Sequence, residues 1–145
     1  MKSKNILFFS TSNELSIMAE GWASKLNEPA LNFISTSFDK ALDPSLSIEA
    51  MKEVNIDITD KEPAPLAPKL INEADLIVNI YDSDYDQGPT LPLASDKKVL
   101  YWDIPNPAYC KDVIEKWAAY QIVCDELAEH VKQLEKELKS PPPKQ

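Results

Sequence analysis

The residues best suited to chemistry follow the first apolar segment of the chain. Residues 6–9 form a short, continuously apolar run, and a helix-like apolar pattern resumes at Ile17. The polar segment between them consists of Ser10, Thr11, Ser12, Asn13, Glu14, Leu15 and Ser16. A strand, a polar loop and a helix in this order direct backbone N–H groups towards an oxyanion, because the first turn of a helix leaves those groups without partners. The pattern therefore predicts a loop of the kind that handles phosphate.

The side chains that usually act in such a loop are absent from this sequence. The chain contains no arginine, and His130 is its single histidine. A serine hydroxyl without an adjacent base is a weak nucleophile at neutral pH, so we interpret Ser10 mainly as a small polar residue that closes a turn. Activation of Ser10 in some other way is the alternative. Asn13 also has two interpretations, since its side chain can bond the nearby backbone or contact a ligand.

A second polar segment follows the strand predicted at residues 75–80. Its aromatic and acidic residues are Tyr81, Asp82, Asp84, Tyr85 and Asp86. Alternating carboxylates are typical of the start of a calcium-binding loop, but Gly88 stands one place too late and Leu93 occupies the position of the bidentate glutamate. The favoured interpretation is a solvated acidic loop. Tyr81 and Tyr85 are predicted either to contact a protein partner or to cap the edge of the sheet.

The composition excludes several classes of partner and site. A net charge of −9 over 145 residues repels nucleic acid and anionic membrane surfaces. The sequence shows neither an apolar run of about 18 residues nor a secretion signal, which predicts a cytoplasmic protein. Cys110 and Cys124, predicted about 21 Å apart on one helix, are interpreted as buried, unreactive thiols. No zinc pattern is present, and we expect neither a metal nor a cofactor.

Strand-like and helix-like apolar segments alternate along the chain. Strands are predicted at residues 6–9, 31–35, 75–80 and 97–102. Helices are predicted from about 15 to 26, from 43 to about 55, from 69 to 73 and from 109 to 138. This alternation predicts an α/β fold with a parallel sheet covered by helices on both faces. Segments 10–16, 81–91 and 103–108 should then meet beyond the carboxyl ends of the strands.

The boundaries of the domain and of the second helix can also be predicted. Asp43 and Pro44 should begin that helix, since an aspartate caps free N–H groups and a proline suits the first helical position. The length fits a single domain, which we place at residues 1–139. The prolines at positions 141, 142 and 143 predict a disordered tail over residues 140–145.

Several motifs together resemble the low-molecular-weight protein tyrosine phosphatase and thioredoxin-coupled arsenate reductase family, more closely its arsenate reductase branch. The motifs are residues 10–16, the following run 18–22, and residues 75–80, 88–92 and 102–108. They occur in the family's order and at near-family spacing, over about residues 4–138. The resemblance implies a four-stranded parallel sheet of order 2-1-3-4.

The resemblance also implies a particular chemistry, from which this sequence departs. The family uses a cysteine thiolate as nucleophile, an arginine that holds the oxyanion, an aspartic acid that protonates the leaving oxygen, and two relay cysteines in the reductase branch. Ser10 stands at the nucleophile position, and Asn106 stands at the acid position. The segment 10–16 is one residue short, with Leu15 and Ser16 where the family has Cys-Arg-Ser. Tyr81 and Gly88 occupy the relay positions.

These departures predict a degenerate, catalytically inactive member of the family that serves as a binding or regulatory module. Nearby carboxylates would also oppose a bound dianion, because each like-charge contact at about 4 Å costs on the order of 4 kcal/mol at a surface-like dielectric. These carboxylates are Glu14 within the segment 10–16 and Asp82, Asp84, Asp86 and Asp103 on the adjoining segments. The expected partner is a protein that presents Lys or Arg to the face formed by Tyr81, Asp82, Asp84, Tyr85 and Asp86. Two alternatives stay open: arsenate reductase or phosphatase activity through non-standard chemistry, and a non-catalytic sensor that binds an oxyanion at residues 10–16.

Overall fold

The computed structural model describes residues 4–26, 28–39, 44–61, 64, 66–86 and 98–139. Its strands and helices, in chain order, are β1 (Lys4–Ser12), α1 (Asn13–Ala23), β2 (Leu31–Asp39), α2 (Ser45–Lys52), α3 (Pro68–Glu73), β3 (Leu76–Tyr81), β4 (Val99–Asp103) and α4 (Val113–Lys139). Short 3₁₀ turns at Ser24–Leu26 and Pro107–Tyr109 follow α1 and β4. Within the described ranges, no helix combines the length and the apolar character needed to cross a bilayer.

The four strands form one parallel sheet of order β2-β1-β3-β4. β1 pairs with β2 along its length and with β3 as far as Ser10, which lies opposite Ile80. β3 pairs with β4 and ends with Tyr81 opposite Asp103. The predicted strand order is confirmed. It brings the carboxyl ends of β1, β3 and β4 to one edge of the sheet, where ligands of such folds bind.

Alternate residues of β1 belong to two separate apolar cores. Ile6 and Phe8 pack with residues of α1, α2 and α4 on one face of the sheet. Leu7 and Phe9 pack with Ile71 of α3 on the other. Because successive side chains of a strand point to opposite faces, a continuously apolar strand requires cover on both sides. Helices therefore lie on both faces, as predicted.

All four predicted strands are present, but the first two continue beyond their apolar segments. β1 runs on to Ser12, which lies opposite Asp39 of β2. The apolar pattern marks only the part of a strand whose side chains are buried. Backbone pairing between strands does not depend on side-chain type, so the polar residues of β1 and β2 stay in the sheet.

The second helix, α2, begins later than predicted and ends at Lys52, three residues before the predicted end at Asn55. Pro44 is its N-cap residue rather than its first helical residue, and Asp43 lies outside the described residues. At the other end, Asn55 has φ of 64°, and its N–H donates to the Lys52 carbonyl over 2.9 Å. Asparagine tolerates this left-handed conformation, which satisfies the last carbonyls of a helix.

The long helix α4 begins at Val113, later than predicted, because a 3₁₀ turn precedes it. Cys110 ends that turn, and its N–H donates to the Pro107 carbonyl over 3.0 Å. The prediction that Cys110 and Cys124 share one helix is therefore wrong. The predicted tail at 140–145 lies outside the described residues, and the domain boundary at 139 stays a prediction.

Candidate functional site

The predicted anion-binding loop is not a loop in the structure. Ser10 and Ser12 pair with β2, opposite Ser37 and Asp39, and α1 begins at the next residue, Asn13. Residues 10–12 thus extend β1, and residues 13–16 form the first turn of α1. Strand pairing engages the backbone of β1 up to Ser12, so an N-terminal helix turn directly follows the strand. The prediction of a free loop at residues 10–16 is therefore wrong.

Ser10 is buried at the end of β1, where its hydroxyl meets the first turn of α1. Its side chain is 2% exposed, and its Oγ accepts a hydrogen bond from the N–H of Ser16 over 3.1 Å. An N–H group at the positive end of a helix stabilises negative charge that develops on the oxygen it faces. Leu15, by contrast, is 1% exposed and packs in the apolar core, so it does not face a ligand.

Glu14 points into the protein rather than towards a substrate at the edge of the sheet. It is 4% exposed, and its Oε2 accepts a hydrogen bond from the Tyr120 hydroxyl over 2.6 Å. Tyr120 is 2% exposed on α4. The expectation that Glu14 adds an exposed negative charge to the site is therefore wrong. The carboxylate instead connects the first turn of α1 to the N-terminal third of α4.

Asp82 is a buried structural residue at the end of β3. It is 4% exposed, and its Oδ2 and Oδ1 accept the N–H groups of Asn106 (2.8 Å) and Asp84 (2.9 Å). Its own N–H donates to Asp86 Oδ2 over 2.8 Å. These bonds bring the segments after β3 and β4 together, as predicted. The predicted solvated acidic loop is wrong for Asp82 itself, whereas Asp84 is exposed.

Asn106, at the family's acid position, caps the 3₁₀ turn that follows β4. It is 7% exposed, and its Oδ1 accepts the N–H of Ala108 over 3.0 Å. An amide has no dissociable proton for a leaving group, so the role of general acid is not open to it. Nearby, Asp103 Oδ1 accepts the N–H of Ser83 over 3.0 Å, and hydrogen bonds from Ser83 hold the pKa of Asp103 below its usual value.

Two tyrosines stack on the exposed side of these segments. The rings of Tyr85 and Tyr109 lie 4.7 Å apart at an interplanar angle of 29°, and Tyr85 is 62% exposed. The Tyr109 hydroxyl donates to Asp86 Oδ1 over 2.6 Å, and this bond is the main reason that the pKa of Tyr109 rises to about 12. Tyr81 is half-buried and meets Tyr101 edge-to-face at 6.3 Å, next to the end of β4.

The two thiols differ in exposure, and the single histidine packs on an aromatic ring. Cys124 is 2% exposed, and burial raises the pKa of its thiol, whereas Cys110 is only half-buried. The expectation of two buried thiols therefore holds for Cys124 alone. His130 stacks on Trp102 with ring centroids 4.8 Å apart. In the described part of the chain, no group of His, Cys, Asp and Glu could hold a metal ion.

Comparison with known proteins identifies the family of the chain. No protein-family model matches it. It is 33% identical over 135 residues to the arsenate reductase of Bacillus licheniformis, an alignment that covers 91% of this chain and 95% of that protein. It is also 33% identical over 136 residues to the arsenate reductase of Bacillus subtilis, with 92% and 96% covered. The chain belongs to the arsenate reductase family.

Solved structures agree with this assignment at the level of the fold. The low-molecular-weight protein tyrosine phosphatase from T. tengcongensis superposes on this arsenate reductase family member with a TM-score of 0.73. The match covers 93% of this chain and 99% of that chain at 22% identity. The sheet order and helical layers described above are therefore those of the low-molecular-weight phosphatase fold.

The prediction of a catalytically inactive protein is contradicted by these comparisons. It rested on the missing arginine and on Ser10 and Asn106, and those departures remain facts of the sequence. The relatives that align with nearly the whole chain are named arsenate reductases, and nothing in the described structure shows that this family member is inactive. The prediction that the chain is not an enzyme is wrong for the same reason, since these relatives are named as enzymes. Because arginine is absent and Ser10 and Asn106 stand at the nucleophile and acid positions, a reductase of this sequence would have to use chemistry different from that of the family.

Proposed function

We propose that the chain reduces arsenate at the junction of β1 and α1, through chemistry different from the cysteine and arginine chemistry of its family. The observation that carries the proposal is the buried Ser10 hydroxyl, which accepts the Ser16 N–H over 3.1 Å at the family's nucleophile position. The 33% identity to proteins named arsenate reductase, over nearly the whole chain, supports arsenate as the substrate.

The first step is formation of an arsenate ester on Ser10. Its Oγ attacks As(V), one arsenic–oxygen bond breaks, and the Oγ proton leaves with the departing oxygen as water. The N–H of Ser16, at the positive N-terminal turn of the 11-residue helix α1, stabilises the charge that develops on Oγ. A hydroxyl is a weaker nucleophile than a thiolate, so turnover slower than that of a cysteine enzyme follows.

The two electrons for the reduction of As(V) to As(III) come from external thiols. One thiol replaces Ser10 on arsenic and returns the proton to Oγ; a second thiol then attacks the bound sulfur, so a disulfide forms and arsenite leaves. Cys110 and Cys124 do not form this disulfide together. Both are free thiols in the structure, Cys110 half-buried after the 3₁₀ turn and Cys124 buried on α4.

Arsenate has no arginine clamp in this protein, so binding must rely on backbone N–H groups and the helix end. Lys61 does not replace the clamp, because its Nζ is paired with Glu20 Oε2 over 2.9 Å. We therefore expect a high KM for arsenate together with a low kcat. A cytoplasmic site of action, where reduced thiols are available, stays a prediction from the sequence.

The proposal is tested by incubating the protein with arsenate and a thiol source, either dithiothreitol or thioredoxin with its reductase and NADPH, and measuring arsenite. Arsenite should form faster than without protein, and the rate should fall at least tenfold in Ser10→Ala. The control is Ser35→Ala: this serine is also buried, at 1% exposure, and its Oγ finds no hydrogen-bond partner among the residues that the structure describes.

Other outcomes of the same experiment separate the alternatives. Ser10-dependent hydrolysis of an aryl phosphate without arsenite formation would assign the chain to the phosphatase branch. Saturable arsenate binding without turnover, followed by NMR at the amides of residues 10–16, would indicate an oxyanion sensor. An arsenite rate equal to the protein-free rate would contradict the proposed reductase activity.

We also propose that the exposed face beside these segments, formed by Asp84, Tyr85 and Tyr109, receives a protein segment that bears Lys or Arg. Asp86 accepts hydrogen bonds from the Asp82 N–H and the Tyr109 hydroxyl, and Tyr85 stacks on the Tyr109 ring. Tyr85 is therefore already ordered before a partner binds, which lowers the entropy cost of binding. Titration with a short Lys- and Arg-containing peptide should shift the Tyr85 and Tyr109 resonances. Asp84→Lys should abolish the shifts, whereas Asp125→Lys, at an exposed residue of α4, should not. Equal binding of the peptide by both variants would refute the proposed partner face.

A further inference from the structure

The outward face of α4 carries a short row of exposed apolar residues near its N-terminal end. Ile114 and Ile122 are 78% and 58% exposed, and Ala118 between them is exposed as well. Residues four positions apart lie on one face of a helix, whereas the buried Tyr120 and Leu127 lie on the opposite face, against the core. Single exposed apolar residues are common, but an aligned row of them is typical of a contact surface.

The pattern of this row is symmetric about Ala118. One isoleucine lies four residues before Ala118 and one four residues after it, and opposite charges lie seven residues away on either side, Lys111 before and Asp125 after. Both charged residues are exposed, and among the residues that the structure describes neither is paired with an opposite charge.

This symmetry makes the face complementary to a second copy of itself. When two copies of α4 pack antiparallel with a two-fold axis at Ala118, each residue before the axis faces the residue at the same distance after it in the other copy. Ile114 then packs on Ile122 of the partner subunit, and Lys111, shortly before the start of α4, lies near Asp125 of the partner subunit.

The residues that follow on the same face restrict the contact to this part of α4. Asp125, Glu129 and Lys132 are exposed and charged, and Lys132 Nζ lies 3.8 Å from Glu129 Oε1. A shift of the partner helix by one or two turns would place Ile114 against Asp125 or Glu129, which costs the desolvation of a charge without a partner. The alanine at the centre favours the unshifted register, since a small side chain lets the two helix axes approach to about 8–10 Å.

We propose that this face of α4 binds a second copy of the chain in a symmetric, antiparallel dimer centred on Ala118. The contact from residue 111 to residue 125 is about 21 Å long, so it buries less than the roughly 800 Å² per partner of a stable complex. A net charge of −9 on each copy opposes association further. The dimer is therefore weak and reversible, with a dissociation constant on the order of 0.1 mM, and it does not require turnover at Ser10.

The test is sedimentation equilibrium of the intact protein between about 10 µM and about 1 mM, on either side of the expected dissociation constant. The average mass should rise from that of a monomer towards that of a dimer. Ile122→Lys should weaken association at least tenfold, because it places a charge in the apolar contact. Gln133→Lys is the matched control, since it adds the same charge at an exposed α4 residue beyond the contact and should associate as the parent does. A protein that stays monomeric up to about 1 mM, or equal association by the two variants, would overturn the proposal.

An exchange of charges tests the antiparallel register. Lys111→Asp and Asp125→Lys should each weaken association about threefold or more, because each places like charges opposite one another twice in the symmetric dimer. The double variant should recover the dissociation constant of the parent, since both opposite pairs form again. A double variant as weak as the single ones would contradict this register.

Cross-linking locates the two-fold axis itself. In a Cys110→Ser background, Ala118→Cys brings two thiols together at the axis, where mild oxidation should join them because facing Cβ atoms there lie within disulfide reach. Lys132→Cys in the same background is the control: this residue is exposed on the same face, but its two copies would lie about 42 Å apart in the dimer. Covalent dimer on a denaturing gel should therefore form with Ala118→Cys and not with Lys132→Cys. Equal cross-linking of the two variants would overturn the proposal.

Discussion

The hydroxyl of Tyr120 donates a hydrogen bond to Glu14 over 2.6 Å, although the two residues lie 106 positions apart in the chain. Both side chains are nearly fully buried, at 2% and 4% exposure. The bond joins the first turn of α1, close in sequence to the candidate nucleophile Ser10, to the N-terminal third of the long helix α4. The position of that turn therefore depends on a residue far from it in sequence.

Tyr120→Phe removes this donor and should lower the free energy of unfolding by about 1–3 kcal/mol, because it leaves a buried carboxylate with one bond fewer. Chemical denaturation with urea measures the effect. Tyr101→Phe is the matched control: Tyr101 is 63% exposed, and its loss of a hydroxyl should cost less than about 0.5 kcal/mol. Equal stability of the two variants would show that the bond contributes nothing.

Asp82→Asn should destabilise the protein by about 1–3 kcal/mol, since one of two acceptor oxygens becomes an NH₂ group that cannot accept the N–H of Asn106 or Asp84. Thermal and urea unfolding report the loss. The exposed neighbour provides the comparison, and Asp84→Asn should stay within about 0.5 kcal/mol of the parent. A neutral Asp82→Asn would mean that this carboxylate does not organise the two segments.

The pKa of Tyr109, raised to about 12 chiefly by its bond to Asp86, predicts a specific pH dependence. A tyrosine pKa above the unfolded value of about 10 means that the contribution of Tyr109 to stability is complete below pH 10 and is lost as pH rises towards 12. Ultraviolet titration of phenolate should show one tyrosine ionising late. Asp86→Asn should bring that ionisation back towards pH 10 and Asp84→Asn should not; a late step that survives in Asp86→Asn would refute the assignment.

The two thiols should react in two distinct phases with a disulfide reagent such as 5,5′-dithiobis(2-nitrobenzoate). Cys110 is half-buried and should react in the native protein, whereas Cys124 is 2% exposed, has a raised thiol pKa and should react only after unfolding. Release of the chromophore before and after addition of guanidinium measures each phase. Cys110→Ser should remove the native phase alone; simultaneous reaction of both thiols would contradict the buried position of Cys124.

The fold could be predicted from the sequence because the apolar patterns of its strands and helices lie within short segments of the chain. The continuously apolar strand at residues 6–9 predicted a sheet covered on both faces. The three- and four-residue spacing of apolar residues predicted the helix α4, on which Tyr120 and Leu127 are buried. The strand order came from the family resemblance. Apolar patterns did not reveal that β1 continues to Ser12, because backbone pairing there carries no side-chain signal.

Only part of the candidate site could be predicted from the sequence, because its contacts join residues that are far apart in the chain. Ser10 and Asn106 could be placed from motif positions. The partner of Glu14 could not, since nothing local in the sequence connects it with Tyr120. Asp82 was expected in solvent because carboxylates usually are, and its burial depends on two backbone N–H groups that only the folded chain presents.

The most direct test of the central claim is the rate of arsenite formation from arsenate and a thiol reductant, compared between the parent protein and Ser10→Ala. Catalysis at Ser10 predicts a rate above the protein-free rate in the parent and in Ser35→Ala, and a loss of at least tenfold in Ser10→Ala. Arsenite formation that is equal in the parent, in Ser10→Ala and without protein would contradict it.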